Sequence, residues 1–319
     1  MSAWRFFTDP SPEWTAVCRE RGSFFHIPAW QSVLSAAFGA RACYGLTADD
    51  GEAVALTIFP LGPFRVAFAG FPAGGLVGGR PFTAETAVSL SKAAFPAAVH
   101  MLRLVVSPFP ELVDLPFPFA ETWETAVLDL PNWDEKRLSS AVRRNVRKAE
   151  KQGIIIVPAV SADAPVIFQL YRETVKRHGG SLRYNPGYFQ ALVKLAQETA
   201  VLRCWLAKKG EETAAFLVAA QEGDIVYYLH GAVNRIHQQA RPGDLLFHRA
   251  IQWAKNQGAG QFNMMASPLS QPGLVRYKEK WGGVTARQRT YDVPVNLVGN
   301  FSMWLIRGYK IINENLSHR

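Results

Sequence analysis

From Ile154 to Met265 the spacing of apolar residues switches between a period of two and a period of 3.6, and the order of those switches limits the fold more than any other feature of the chain. A β-branched run over 154–157 reads as a strand. Helical spacing follows over 164–177 and again over 187–197. Strand-like runs over 200–207, 212–221 and 224–231 come next, the last two joined at Glu222-Gly223, a hairpin turn. A helix over 243–257 then carries Leu245, Leu246, Ala250, Ile251, Trp253 and Ala254, and a strand over 261–265 follows Gly258. Strand, helix, helix, three strands, helix, strand is an α+β unit.

Upstream of Leu130 the apolar runs are shorter. A helix over 27–38 ends at Gly39, strands over 42–46 and 53–60 flank an Asp49-Asp50-Gly51 turn, and 63–81 reads as a long Gly- and Pro-rich loop. A helix over 83–95 and strands over 101–106 and 122–130 follow. Pro131-Asn132-Trp133 punctuates the chain before a helix over 134–152. A length of 319 residues suggests about two domains, drawn here as 1–131 and 132–296, with an amphipathic helix over 297–319. The 48% hydrophobic share against 19% charged residues fills two cores and excludes disorder, collagen and coiled coil. The longest uncharged apolar tract, 66–79, is about 14 residues against the roughly 20 that span a bilayer. The start of the chain lacks the pattern of a secretion signal. Cys18, Cys43 and Cys204 are far apart and unpaired by spacing, which argues for a reducing compartment and against structural zinc. The expectation is a cytoplasmic protein. Its net charge of +9 favours an anionic partner: nucleic acid, a nucleotide-linked substrate or the inner face of a membrane.

Four strings stand in register along the second half. They are Arg143-Arg144-Asn145-Val146-Arg147-Lys148-Ala149-Glu150-Lys151-Gln152-Gly153, Thr174-Val175-Lys176-Arg177-His178-Gly179-Gly180, Tyr227-Tyr228-Leu229-His230-Gly231-Ala232 and Tyr277-Lys278-Glu279-Lys280-Trp281-Gly282-Gly283. In that order they resemble the Fem-type peptidyltransferases and their acyltransferase relatives, a branch of the GNAT superfamily. The resemblance covers 140–284 and implies a mixed α/β (α+β) chain of two GNAT-like domains, each a mixed sheet flanked by helices. It also implies transfer of an acyl or aminoacyl group from an activated ester or thioester to an amine, in cell-envelope or polysaccharide metabolism. The co-substrate would be acyl-CoA or aminoacyl-tRNA, with no tightly bound cofactor, and the acceptor amine nucleotide- or lipid-linked. Such aminolysis needs positioning, removal of one proton and an oxyanion donor, but neither a metal nor a covalent nucleophile.

The candidate residues follow. Seven bases lie between Lys136 and Lys151, and Arg143, Arg144 and Arg147 are the candidate anion contacts; the plainer reading is a solvated helix face. Gln238-Gln239-Ala240-Arg241-Pro242-Gly243 stands where CoA-dependent GNAT enzymes carry a phosphate-binding loop, but Arg241 replaces its first glycine and Pro242 has no N–H. Arg241 is a candidate phosphate contact, and Asp244 a candidate helix cap. Lys278, through the aromatic-Lys string, is a candidate to polarise the donor carbonyl, with Lys280 beside it; otherwise Tyr277, Trp281 and the glycine pair form a buried strand entry. Arg183 and Tyr188 are candidate acceptor contacts. Tyr228 and His230, two apart on a strand, should point the same way, with His230 a candidate base and Tyr228 a substrate contact. Asn263 is a candidate oxyanion donor. The tail carries Phe301, Trp304, Leu305, Gly308, Ile311 and Ile312 on one side and lies on a membrane surface or docks on the protein itself. Two alternatives stand beside amide formation on a Fem-like chain: a non-catalytic module binding RNA or another polyanion, and an acyl-CoA-dependent N-acyltransferase.

Overall fold

Buried runs of Val, Leu and Ala build two sets of strands, one in each of two compact units: residues 1–122 with 288–319, and residues 123–287. The computed structural model describes residues 3–47, 51–77, 83–96, 98–106, 114–117, 120–267 and 272–303.

The first unit contains β1 (Trp4–Phe7), α1 (Pro12–Arg21), α2 (Pro28–Phe38), β2 (Arg41–Thr47), β3 (Ala53–Leu61), β4 (Phe64–Ala69), α3 (Ala84–Ser91) and β5 (Met101–Val106). The apolar pattern of the sequence does not announce β1, α1 or β4. Ser11 and Pro12 start α1, the serine hydroxyl accepting the Trp14 N–H, and buried Trp14 donates its indole N–H to Val54 O at 3.1 Å. β4 occupies the stretch expected to be loop, because Val66 and Ala67 are buried between β3 and β5 despite the flanking glycines. The Asp49-Asp50 turn lies outside the described residues.

The second unit contains β6 (Ala120–Asp129), α4 (Ser140–Lys151), β7 (Ile154–Pro158), α5 (Ala164–Arg177), α6 (Pro186–Glu198), β8 (Leu202–Lys209), β9 (Glu212–Glu222), β10 (Ile225–Val233), α7 (Pro242–Asn256), β11 (Gln261–Ser267) and α8 (Pro272–Glu279). β12 (Val284–Pro294) carries the chain back to the first unit. α4 starts six residues later than the spacing suggested. Asp134 caps a separate 3-10 turn, and the Ser139 hydroxyl accepts the Val142 N–H to open the helix. α8 is a helix where a loop and strand entry were expected.

Both units repeat one topology. In the first the order β1-β2-β3-β4-β5-β12 has β4 and β5 parallel and every other neighbouring pair antiparallel. In the second the order β7-β8-β9-β10-β11-β6 has β10 and β11 parallel and every other pair antiparallel. The mixed α/β class and the pair of similar halves follow the expectation. Residues 124–129 pair with β11 in the second unit, which begins at 123, and residues 289–294 pair with β5 in the first, which resumes at 288. The structural division thus differs at both borders from ranges drawn at 131 and 296.

In the second unit, alternate residues of β9 face opposite helical layers. Ala215, Leu217 and Ala219 pack in one core with Leu246, Phe247, Ala250 and Ile251 of α7, whereas Phe216 meets Phe189 of α6. Residues 297–303 are helical, with Met303 packed on Val66 and Met101 while Leu297, Val298 and Phe301 are exposed. The rest of the expected amphipathic tail, including Trp304, Leu305, Gly308, Ile311 and Ile312, lies outside the described residues. Among the described residues no helix is long and apolar enough to cross a membrane.

Candidate active site

The parallel pair β10–β11 is hydrogen-bonded only where Ile225, Val226 and Tyr227 face Gln261, Phe262 and Asn263. Beyond those residues both strands break register. β10 gains an extra residue between Tyr228 and His230 against β9, and β11 bulges between Asn263 and Ala266 against β6. Past β10 the chain turns through a 3-10 segment, Arg235–Ala240, into the N-terminus of α7. A cavity of about 310 Å³ opens there, lined among others by Arg177, Tyr228, Arg241, Asp244, Phe247 and Tyr277.

The β10 bulge changes which residues reach this cavity. In a regular strand Tyr228 and His230 share a face; the inserted residue shifts the phase and puts them on opposite faces. Tyr228 lies against Phe247 of α7, ring centroids 5.2 Å apart, and lines the cavity. His230 turns toward α5 and α6, where the rings of Tyr184, Tyr188 and Phe189 lie within 5.5 Å of it and its Nε2 is 2.8 Å from Tyr188 Oη. The shared-face expectation is therefore corrected. Burial among these rings pushes the imidazole down to about 3, which leaves it neutral near pH 7. A histidine whose folded value lies below its unfolded value near 6.5 stabilises the fold fully above that unfolded value and loses the contribution as pH falls toward 3. His230→Phe should accordingly flatten the decline in urea midpoint between pH 6.5 and pH 4. An unchanged difference between variant and wild type across that range would show the ring to be solvated.

Gly231 follows the bulge, and it is required there by close approach. A Cβ built on it would fall 2.4 Å from Tyr228 Oη, so the tyrosine ring folds back over bare backbone. Burial pushes the Tyr228 hydroxyl up to about 12 and Tyr277 well above its usual value. Both hydroxyls stay protonated at any physiological pH.

At the floor of the cavity Asp244 is buried, with Oδ1 2.5 Å from Lys280 Nζ and Oδ2 accepting from Asn145 Nδ2 at 2.9 Å. The Tyr277 hydroxyl also bonds this carboxylate, and Lys280 Nζ lies 3.9 Å from the centroid of the Tyr277 ring. Asp244 is thus not the helix cap. The cap position is held by Arg241 in the left-handed region, φ 61°, with no side-chain bond to the helix. That conformation costs a non-glycine residue roughly 1–2 kcal/mol, and it leaves the guanidinium exposed at the cavity rim.

The residues present do not form a diphosphate cradle of the kind CoA binding needs. Pro242 has no N–H, the Asp244 and Leu245 amides both donate to Arg241 O, and a carboxylate occupies the first turn. Helix N-termini attract anions through free amides, and here few remain.

Lys278 does not line the cavity. It is buried beneath the β11 bulge, where Nζ donates to Met265 O at 2.6 Å and meets Ser267 Oγ at 2.7 Å, and burial lowers it to about 7. Met265 is itself left-handed, φ 59°, with its N–H bonded to Asn263 Oδ1. Asn263 Oδ1 also accepts from Thr125 Oγ1, so its carbonyl end braces the bulge. Tyr188 is buried behind the sheet, and exposed Arg183 donates its backbone N–H to Tyr171 Oη. On α4, Arg143, Arg144, Arg147, Lys148 and Lys151 line a separate groove. Of the sequence candidates the cavity gathers Tyr228 and Arg241, with Lys280 just behind; His230, Lys278, Asn263, Tyr188 and Arg183 lie elsewhere. Sequence reasoning missed Asn145, Tyr277, Arg177 and the network role of Asp244.

Residues 136–279 match the acetyltransferase (GNAT) domain family. The chain is similar to the solved structure of FemX, with 13% identity over 90% of this chain and 97% of that one and a TM-score of 0.66. L-PGS from Bacillus licheniformis is similar at 18% identity, covering 93% and 96%, with a TM-score of 0.55. A tandem GNAT protein from the clavulanic acid biosynthesis pathway is similar at 13% identity, covering 92% and 99%, with a TM-score of 0.55. At these identities the likeness is one of fold. No curated protein matches the chain.

Proposed function

Because the chain carries a GNAT acetyltransferase domain over residues 136–279 and has a Fem-like, tandem GNAT fold, we propose that it transfers an aminoacyl group from aminoacyl-tRNA to an amine in the cavity where β10 and β11 part. The acyltransferase class follows from the domain; the donor and the place of reaction are the proposal. The observation that carries the choice of donor is the first turn of α7, where Pro242, two engaged amides and the Asp244 carboxylate disfavour a CoA diphosphate. The basic groove of α4 supports the same choice, since phosphate contacts by Arg dominate affinity for nucleic acid.

The chemistry asked of the chain is modest. The acceptor nitrogen attacks the ester carbonyl carbon, the new C–N bond forms as the C–O bond to the ribose breaks, and the proton that the nitrogen gives up ends on the departing ribose oxygen. Tyr228, held protonated, donates to the carbonyl oxygen as its charge grows. Lys278 holds the Met265 carbonyl and so keeps β11 bent away from β10, a positioning role. His230 anchors Tyr188 behind β10. The three thiols, all buried and free, suit work in a reducing cytoplasm.

The test is transfer of a radiolabelled amino acid from charged tRNA, or of acetyl from acetyl-CoA, to a panel of amines. Product from charged tRNA alone is expected; product from acetyl-CoA alone overturns the donor. The α4 groove also favours a second reading, an RNA-binding module without catalysis. Replacing Arg143, Arg144 and Arg147 together by alanine should cut tRNA affinity on the order of a hundredfold and lower the salt slope by about 3 under either reading. The two readings part on product formation.

A further inference from the structure

The cavity at the start of α7 has two ends of opposite character. Its inner end holds the buried Asp244 carboxylate and the aromatic faces of Tyr228, Phe247 and Tyr277. Its rim holds Arg177, His178 and Arg241, all exposed. Resting on the reading of this cavity as the reaction site, we propose that the inner end recognises a primary ammonium group and the rim an anion, so that the ligand is a zwitterion entering amine first.

A carboxylate offers about four acceptor positions. Lys280, Asn145 and Tyr277 engage Asp244, which leaves it acceptor capacity for one further donor. Lys280 is not among the lining residues, so the group presented to the cavity is the carboxylate and not the protein's own ammonium. The aromatic wall is also suited to a cation. Lys280 Nζ already stands over the Tyr277 ring at 3.9 Å, the geometry in which a ring face attracts positive charge. An ammonium entering between the tyrosines would meet the carboxylate and two hydroxyl oxygens, matching its three donors. A diphosphate in the same place would meet a carboxylate and a proline nitrogen without hydrogen.

At the rim the bases come from two elements. Arg177 ends α5 and His178 follows it, where the helix dipole disfavours an anion unless side chains supply the charge. Arg241 reaches the rim from its left-handed cap position, a conformation glycine would adopt without strain. Holding an arginine there is consistent with use of its guanidinium, for which a carboxylate or phosphate is the matching group. Two sources supply such a zwitterion: the aminoacyl end of a nucleotide donor, or an acceptor that bears both an amine and an anion.

Calorimetric titration of the full chain tests this with paired probes. One pair is adenosine 5′-monophosphate bearing a 3′-amide-linked lysine or its fully N-acetylated form; the other is phosphoethanolamine or its N-acetyl form; ADP serves as the diphosphate probe. At least one free amine should bind tenfold or more tightly than its acetylated partner, and Asp244→Asn should erase that preference. The pair that shows the preference identifies the source. Equal binding of free and acetylated forms overturns the ammonium site while leaving the cavity as a substrate site. Tight ADP binding overturns the assigned polarity. Binding of none overturns the cavity reading and this inference together. Should Asp244→Asn fail to fold, the wild-type comparison within each pair still decides.

Discussion

Tyr228→Phe lowers kcat for transfer by about a hundredfold or more and leaves KM within a few-fold of wild type. The reason is the protonation state set by burial. With its hydroxyl held near 12, Tyr228 has no role as a base at neutral pH and can act only as a donor. A donor aimed at developing negative charge in a site sheltered from water is worth about 10²–10³ in rate. Tyr228 is the cleaner of the two tyrosines to test, because the Tyr277 hydroxyl also bonds Asp244 and its loss disturbs the floor of the cavity. Gly231 lets the Tyr228 ring lie back over β10, so phenylalanine fits the same space without strain. Steady-state kinetics with charged tRNA decide the matter. A rise in KM with unchanged kcat would mean that the hydroxyl binds ground state and transition state alike, and the oxyanion role would be withdrawn.

The largest effect on stability is expected from Lys280→Met, which lowers the free energy of unfolding by about 3 kcal/mol. Lys280 is partly exposed, but its partner Asp244 is buried, with a side chain only 6% accessible. Removing the ammonium leaves a carboxylate out of water with only Asn145 and Tyr277 to hold it. The cost is mainly that of the stranded charge, not of the lost attraction. Adding Asp244→Leu to the first change should therefore return most of the stability, since an apolar pair of similar volume can replace a buried ion pair at little cost. Urea denaturation of the two single variants and the double gives the coupling directly. Additive losses would show that Asp244 is solvated and the network loose.

How much of this was legible beforehand depended on whether local spacing carried the information. α2, α6, α7 and β7 to β11 were readable because their apolar periodicity is regular and glycines such as Gly39 and Gly258 mark helix ends. β4 was hidden because its glycine- and proline-rich flanks look like loop, although its own Val66 and Ala67 are core. α8 was hidden by Gly273 and by the short spacing of Tyr277, Lys278 and Trp281, which fits a strand as well as one turn of helix. In the candidate site, Tyr228 and Arg241 were found by their strings. His230 was misplaced because a bulge is set by the partner strand, and nothing in Tyr228-Leu229-His230 announces one. The bond between Asn145 and Asp244 joins residues 99 apart and had no local signal at all.

The return of β12 to the first unit has a consequence for biosynthesis. A ribosome releases residues 1–122 long before it makes 289–294, the stretch that pairs with β5. The nascent N-terminal half therefore leaves the exit tunnel with one flank of β5 unpaired by its native neighbour and holds it so while the whole second unit is translated. Strand edges of that kind invite wrong partners. Vectorial folding here runs out of sequence order: the half begun first is the one finished last, and a stop codon just after the GNAT domain would leave it permanently open.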